Sequence, residues 1–170
     1  AADQGRNAMA QVDCFLKIEG VESESTDDKH KGEIEVESWS WGETQTGTAG
    51  HAGGQGAGKV APQDMMISKR VDKGSPTLFI ACATGHAFTK GTLTMRKAGE
   101  GQQEYLTINL EGILISSYNV SGSGEGEIIP MEQLSLNFAK FEMSYKEQKA
   151  DGSLGGEVKQ GYDFAANIKL

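Results

Sequence analysis

Glu33-Ile34-Glu35-Val36-Glu37-Ser38-Trp39-Ser40-Trp41-Gly42, then a polar run to Gly58, then Lys59 to Asp72, is the stretch that decides the fold. It reads as a strand, a long glycine-rich loop and a second strand. The two Trp residues stand two apart, so in an extended chain they project from one face, while Ser38 and Ser40 project from the other. The odd positions change from Glu33, Glu35 and Glu37 to Trp39 and Trp41. One face therefore passes from solvent into packing, with a bulge expected between the halves. The segment 42–58 carries further glycines at 47, 50, 53, 54 and 56. Such a composition cannot bury enough apolar surface to fold alone. A structureless connection of this length inside a compact domain is uncommon unless it is functional or disordered. A lone barrel has no need of it, so the segment is expected to be an arm that becomes ordered against another copy of the protein. Gly42, directly after Trp41, is expected to end the strand and act as the hinge. Trp39 and Trp41 are read as core or subunit-interface aromatics in preference to a stacking platform for a sugar or base.

Outward from this stretch, 12–19 alternates as a half-buried strand, with Val12, Cys14, Leu16 and Ile18 on one face and Asp13, Phe15, Lys17 and Glu19 on the other. The run 22–31 is charged and without period, and reads as an exposed loop. In 60–71 Met65, Ile67 and Val71 share a side, and Pro62 puts the beginning at an edge or leaves it unpaired. Ser75 is the expected N-cap of the one helix, Pro76 its first residue and Gly85 its left-handed stop. Leu78, Phe79, Cys82 and Ala83 give it an apolar stripe. A helix of about ten residues is marginal alone, so it must lie on a sheet. Strands are expected at 88–97, 104–118, 133–146 and 158–168, separated by Gly-rich turn signals at 98–101, 121–126 and 151–156. This order predicts a mainly β protein: a small antiparallel β-barrel or sandwich with one short α-helix at about 75–85 and a long extended loop at about 42–58. No repeat marks a solenoid.

The 170 residues hold no linker dividing two apolar halves, which points to one domain over 9–170. Residues 1–8, ahead of Met9, are read as a remnant foreign to the protein and set aside. Sixteen basic and twenty-four acidic residues give a net charge of −8, which argues against nucleic acid and anionic membrane as partners. A ring of identical subunits so charged repels itself, so assembly is expected to tighten as salt rises. No apolar run approaches the ~18 residues of a membrane span, so no membrane insertion is expected. The pattern of an export signal is absent too. Cys14 and Cys82 are read as small buried hydrophobes. They do not amount to a disulfide framework, although sequence leaves a bridge between them open.

Chemistry-bearing patterns are sparse. Gly53, four residues, then Gly58-Lys59 matches a phosphate loop until its last position, where Val60 replaces the Ser or Thr that would hold Mg²⁺. An extended Val60-Ala61-Pro62-Gln63 follows where a helix N-terminus is required. His30, His51 and His86 are scattered, with no pair at metal-ligand spacing. His86 is expected to bond a helix-terminal carbonyl or to face the dipole. His51, at the loop tip, is either solvated or in a subunit contact. There is no nucleophile elbow, and the carboxylate pairs Glu35/Glu37 and Glu125/Glu127 read as solvated faces. No catalytic, cofactor-binding or metal-binding residue is assigned, and the protein is expected not to be an enzyme.

Several motifs together resemble the haemolysin-coregulated family, the tube protein of bacterial type VI secretion systems. They are Ser38-Trp39-Ser40-Trp41-Gly42, the glycine-rich loop, Gly58-Lys59-Val60 and Gln63-Asp64, followed by Ser75-Pro76-Thr77-Leu78, Ala81-Cys82-Ala83 and Gly85. Leu136-Asn137-Phe138-Ala139 and Lys149-Ala150-Asp151-Gly152 complete them. The likeness runs from about Met9 to Leu170, and Met65-Met66 and the polar helix-to-strand turn are slight departures from it. It implies a hexameric ring of small β-barrels that stacks into a hollow tube similar to phage tail tubes, each barrel adding strands to a continuous inner wall. The loop would then reach the next ring through Gly42, Glu43, Thr44, Gln45, Thr46, Gly47, His51, Gln55, Gly58 and Lys59. Ser38 and Ser40, small and polar, would face the lumen. The implied partners are further copies of itself, the contractile sheath, the spike protein, the baseplate and small effector proteins. The implied location is the bacterial cytoplasm before firing, and afterwards the extracellular space or a target cell. The competing reading is a monomeric β-barrel binding module that uses the 42–58 loop as a lid over a small ligand.

Overall fold

Period-two alternation carries most of the chain into strands around one long central member. The computed structural model describes residues 12–45, 59–97, 101–126 and 129–170. In chain order the elements are β1 (Val12–Ile18), β2 (Ile34–Glu35), β3 (Ser38–Ser40), β4 (Glu43–Thr44), β5 (Ala61–Pro62), β6 (Met65–Arg70) and α1 (Ser75–Thr84), then β7 (Ala87–Lys97), β8 (Glu104–Ser121), β9 (Met131–Asn137), β10 (Lys140–Gln148), β11 (Leu154–Asp163) and β12 (Ile168–Lys169). The 18-residue β8 is the spine. It pairs with β7 from Glu104 to Leu114, with β10 from Leu106 to Glu111, and with β9 from Leu114 to Ser121. From β8 the sheet runs through β7 and β1 to β2, through β10 and β11 to β12, and through β9 and β6 to β3, antiparallel throughout.

The expected bulge in 33–42 is an exchange of partners. Ile34 and Glu35 sit on β1, and the Val36 N–H donates to the Cys14 carbonyl; the Glu37 N–H then donates to the Ser68 carbonyl, and Ser38 to Ser40 pair with β6. This segment bridges the two margins of the curled sheet, so the barrel is not closed by one continuous ladder. Inside lie Leu16, Ile34, Ile67, Leu93, Ile108 and Leu134, each supplied by the inward phase of its strand.

Other expectations need correcting. The 133–146 strand is two strands, because β8 carries Gly112 in the left-handed region at φ 66°, and a Cβ there would come within 3.2 Å of that of Ala139. The 158–168 strand turns back at Asn167, φ 58°, and Ile168–Lys169 pairs with Tyr162 and Asp163. The helix is capped by Gly74, not Ser75, which makes no cap hydrogen bond; Pro76 in its first turn and left-handed Gly85 after its end stand as expected. Its sheet-facing side is Ser75, Leu78 and Ala81, with Cys82 half-buried, whereas Phe79 is 51% and Ile80 60% exposed and Ala83 is exposed. The His86 ring meets the edge of Phe88 at 4.9 Å, and its backbone N–H, not its ring, bonds the Ala81 carbonyl. Phe15, expected on the polar face, is buried, because the 22–31 segment folds over it with Ser23, Ser25 and His30 buried beneath. Cys14 and Cys82 are both free thiols, and burial pushes Cys14 up to about 12.

Candidate functional face and arm base

Two outward rows cross β3, β6, β9 and β8. One runs Ser40, Met66, Ser135 and Ser117, the other Ser38, Ser68, Gln133 and Asn119. Paired residues of adjacent strands share a face, so both rows point away from the core that receives Trp39, Ile67 and Leu134. No member of either row is charged. Ser38, Ser40, Gln133 and Asn119 are exposed, and Met66, 41% exposed, is the single large apolar side chain among them. The Ser135 hydroxyl is tied to those of Ser116 and Ser117 at 2.7 and 2.6 Å, which holds the centre of the face still. Charges return only at its margins and are engaged there. Arg70 Nε donates to Glu37 at 3.0 Å, and Asp64 accepts from Ser116 and Asn137 at 2.6 and 2.9 Å.

The outward face of β1, β7, β8, β10 and β11 is the opposite in character. Lys17, Thr92, Asn109 and Glu142 form one row across it, and Lys140 lies 3.7 Å from Glu111 and 3.6 Å from Asp163. Lys159 lies 3.5 Å from Glu142. The two rows of the first face are thus without charge, whereas the second face carries ion pairs across its strands.

The arm has a built base. Glu43 and Thr44 pair with Pro62 and Ala61, and the Gln63 N–H donates to the Gly42 carbonyl at 2.9 Å. The loop boundary expected at Gly42 thus moves outward, since Gly42, Glu43 and Thr44 belong to a two-stranded ribbon. Pro62 fits there because a ribbon has a free edge. Gln45 and Lys59 are exposed beside it, while Thr46, Gly47, His51, Gln55 and Gly58 lie outside the described residues. Trp41 locks the ribbon to the fold: its Nε1–H donates to the Gln63 carbonyl at 2.9 Å, and its ring meets Phe141 edge-on at 4.7 Å. Trp39 and Trp41 are both half-buried against the core.

Two buried charge clusters escaped the sequence reading. Lys69 and Glu132, fully buried, pair at 2.5 Å, and Ser75 joins them, donating to Glu132 at 2.8 Å and accepting from Lys69 at 3.1 Å. The signal was present: Lys69 follows Met65 and Ile67, and Glu132 precedes Leu134 and Leu136, each in the inward phase of its strand. The second cluster is centred on Arg96, which donates to both carboxylate oxygens of Asp27 and, at 3.3 Å, to Asp13. The hydrogen bond from the Arg96 side chain, together with those from the Lys29 and His30 amides and the guanidinium charge, holds the Asp27 carboxyl down to about 2. Among the described residues no group of three or more His, Cys, Asp or Glu is placed to hold a metal ion, and no helix is long and apolar enough to cross a membrane.

Comparison with known proteins gives a consistent result. A family model described as "Type VI secretion system effector, Hcp" matches residues 15–145. Protein hcp1 of Pseudomonas aeruginosa is 46% identical over 160 residues, covering 93% of this chain and 98% of that protein. The crystal structure of Hcp1 from Salmonella typhimurium superposes with a TM-score of 0.79 at 40% identity, over 95% of this chain and 100% of that one. A structure described as a type six secretion system protein superposes at 0.88 with 26% identity, over 94% and 100% of the two chains.

Proposed function

The chain belongs to the Hcp family of type VI secretion tube proteins, and on that premise we propose that it is the repeating subunit of the inner tube, a hexameric ring that stacks into a hollow conduit and carries effectors in its bore. The observation that carries this reading is the uncharged face of β3, β6, β9 and β8. In a chain of net charge −8, a face without charge serves a bore through which proteins of either sign must pass without being trapped. Ser38 and Ser40 lie in its two rows and are the proposed lumenal residues. The charged face and the apolar helix surface are then left for neighbouring subunits and the sheath. The ribbon at 43–44 and 61–62 supports the arm reading, because it gives the segment between a fixed root from which to reach the next ring. Residues 9–170 act on this reading as one unit. The subunit waits in the cytoplasm, meets spike and baseplate during assembly, and leaves the cell when the tube is fired. Its role is structural.

Sedimentation velocity at micromolar concentration, with negative-stain imaging of the same sample, tests the proposal. A ring-sized particle with a central hole is expected. A monomer across the whole range would favour the binding module with a lid and overturn the tube reading. Ser40→Arg refines the test by putting a long cation where the bore is proposed. The ring should keep its sedimentation coefficient, while class averages show a narrower hole and cargo no longer co-purifies. Loss of the ring itself would remove Ser40 from the lumen and move it to a subunit contact.

A further inference from the structure

His30 is the buried ring of the 22–33 segment, 6% exposed, with Phe15 flat against it at a centroid distance of 4.4 Å and an angle of 5°. Its Nδ1 lies 2.7 Å from a Glu33 carboxylate oxygen and its Nε2 lies 2.8 Å from one of Glu104. A neutral imidazole carries one N–H and can donate to only one of them, leaving a lone pair facing the other carboxylate. Both contacts are hydrogen bonds only when the ring is an imidazolium. The surrounding charges are Asp27 and Glu33 from the segment itself, Asp13 from β1, Arg96 from β7 and Glu104 from β8. Arg96 is engaged by Asp27 and Asp13, with its guanidinium carbon 4.9 Å over the Phe15 ring. Among the described residues, neither Glu33 nor Glu104 has another ion-pair partner.

We infer that His30 is a proton-operated fastener: charged, it ties the 22–33 segment to the start of β8 through Glu104, and neutral, it keeps its one N–H on Glu33 and lets Glu104 go. The side-chain exposures of the two carboxylates decide the order. Glu33 is 14% exposed and would be left buried without a donor, whereas Glu104 is 42% exposed and can be rehydrated. The bond that opens is the long-range one, while Asp27 on Arg96 keeps the segment attached elsewhere.

Hydrogen exchange of the full chain, corrected for the intrinsic pH dependence of exchange, tests this. Protection across 22–33 should fall about ten-fold between roughly pH 5.5 and 8.5, as expected for the loss of one charge-assisted hydrogen bond, while β9 stays level. Glu104→Gln should flatten that response. Equal protection at both pH values, or an undiminished response in Glu104→Gln, would overturn the inference. Should that variant fail to fold, ¹⁵N spectra of the unmutated protein decide alone: both His30 ring nitrogens protonated at about pH 5.5 supports it, and a single protonated nitrogen rules it out.

Discussion

At the scale of single residues, the polar groups that matter most here are those the fold has taken out of water. Arg96 is buried, and its charge is balanced by Asp27 and Asp13 rather than by solvent. The folded Asp27 carboxyl is held to about 2, below its ordinary value, so the folded state binds its proton more weakly than the unfolded chain does. The sign follows directly. This contribution is complete above the unfolded carboxylate range near pH 4 and is lost as pH falls toward about 2. Denaturant midpoints measured down that range should decline more steeply for the unmutated protein than for Asp27→Asn. That substitution should itself cost about 2 kcal/mol at neutral pH, below the usual penalty for breaking a buried pair, because Asp13 remains. Parallel acid profiles for the two proteins would show that Asp27 is not the group responsible.

At the scale of elements, α1 is docked by a polar contact as well as an apolar one, and this explains its unusual start. Ser75 is drawn into the Lys69–Glu132 pair, so Gly74 takes the cap position without a side chain to offer. Glu132→Ala would leave Asp72, 3.2 Å away at the margin, as the one carboxylate on buried Lys69, and should cost about 3–5 kcal/mol in chemical denaturation. An effect below about 1 kcal/mol would mean that Lys69 finds water once Glu132 is gone. The strands were legible where alternation puts apolar residues in one phase, as Cys14, Leu16 and Ile18 or Met65 and Ile67 do, and the partner exchange at 36–37 showed in the switch from Glu to Trp on one face. The break at Phe138-Ala139 was not legible, since nothing in that dipeptide resembles a turn and its cause lies in Gly112 across the ladder. The 22–31 run was misread for a related reason. A charged segment normally faces solvent, but a single Arg at an outward strand position pulled it down as a roof. The neutral face was half legible, because Ser38 and Ser40 announce it while Gln133 and Asn119 join it only through register. The arm belongs to this scale too. Deleting Thr44 to Ala57 removes one ribbon pair and the loop beyond it but no residue of the core cluster. The thermal midpoint should move by no more than a few degrees, as expected for a change of about 1 kcal/mol, and stacked rings should vanish from images while single rings persist. Unfolding of the deletion variant would instead make the loop part of the core.

At the scale of the whole molecule, net charge and apolar surface pull assembly in opposite directions. Each copy carries −8, so any closed set of identical subunits gathers like charge. Against this stand exposed apolar side chains at separated places: Phe79 and Ile80 on the helix, Val120 at one end of β8, and Tyr145 and Val158 paired on β10 and β11 toward its other end. Different patches on one chain suit a head-to-tail contact, the kind that closes into a ring when the rotation permits. If apolar burial drives the contact and charge opposes it, salt should help. Raising ionic strength from about 0.01 to 0.15 M shortens the screening length from about 30 to 8 Å, which removes most of the repulsion between subunits while leaving apolar contacts in place. Sedimentation at a fixed low protein concentration should therefore show the ring fraction rising across that range and levelling off above it. A ring that falls apart as salt is added would require matched charges across the subunit contact, and the charged face of β1, β7, β8, β10 and β11, not the apolar patches, would then be where neighbours meet.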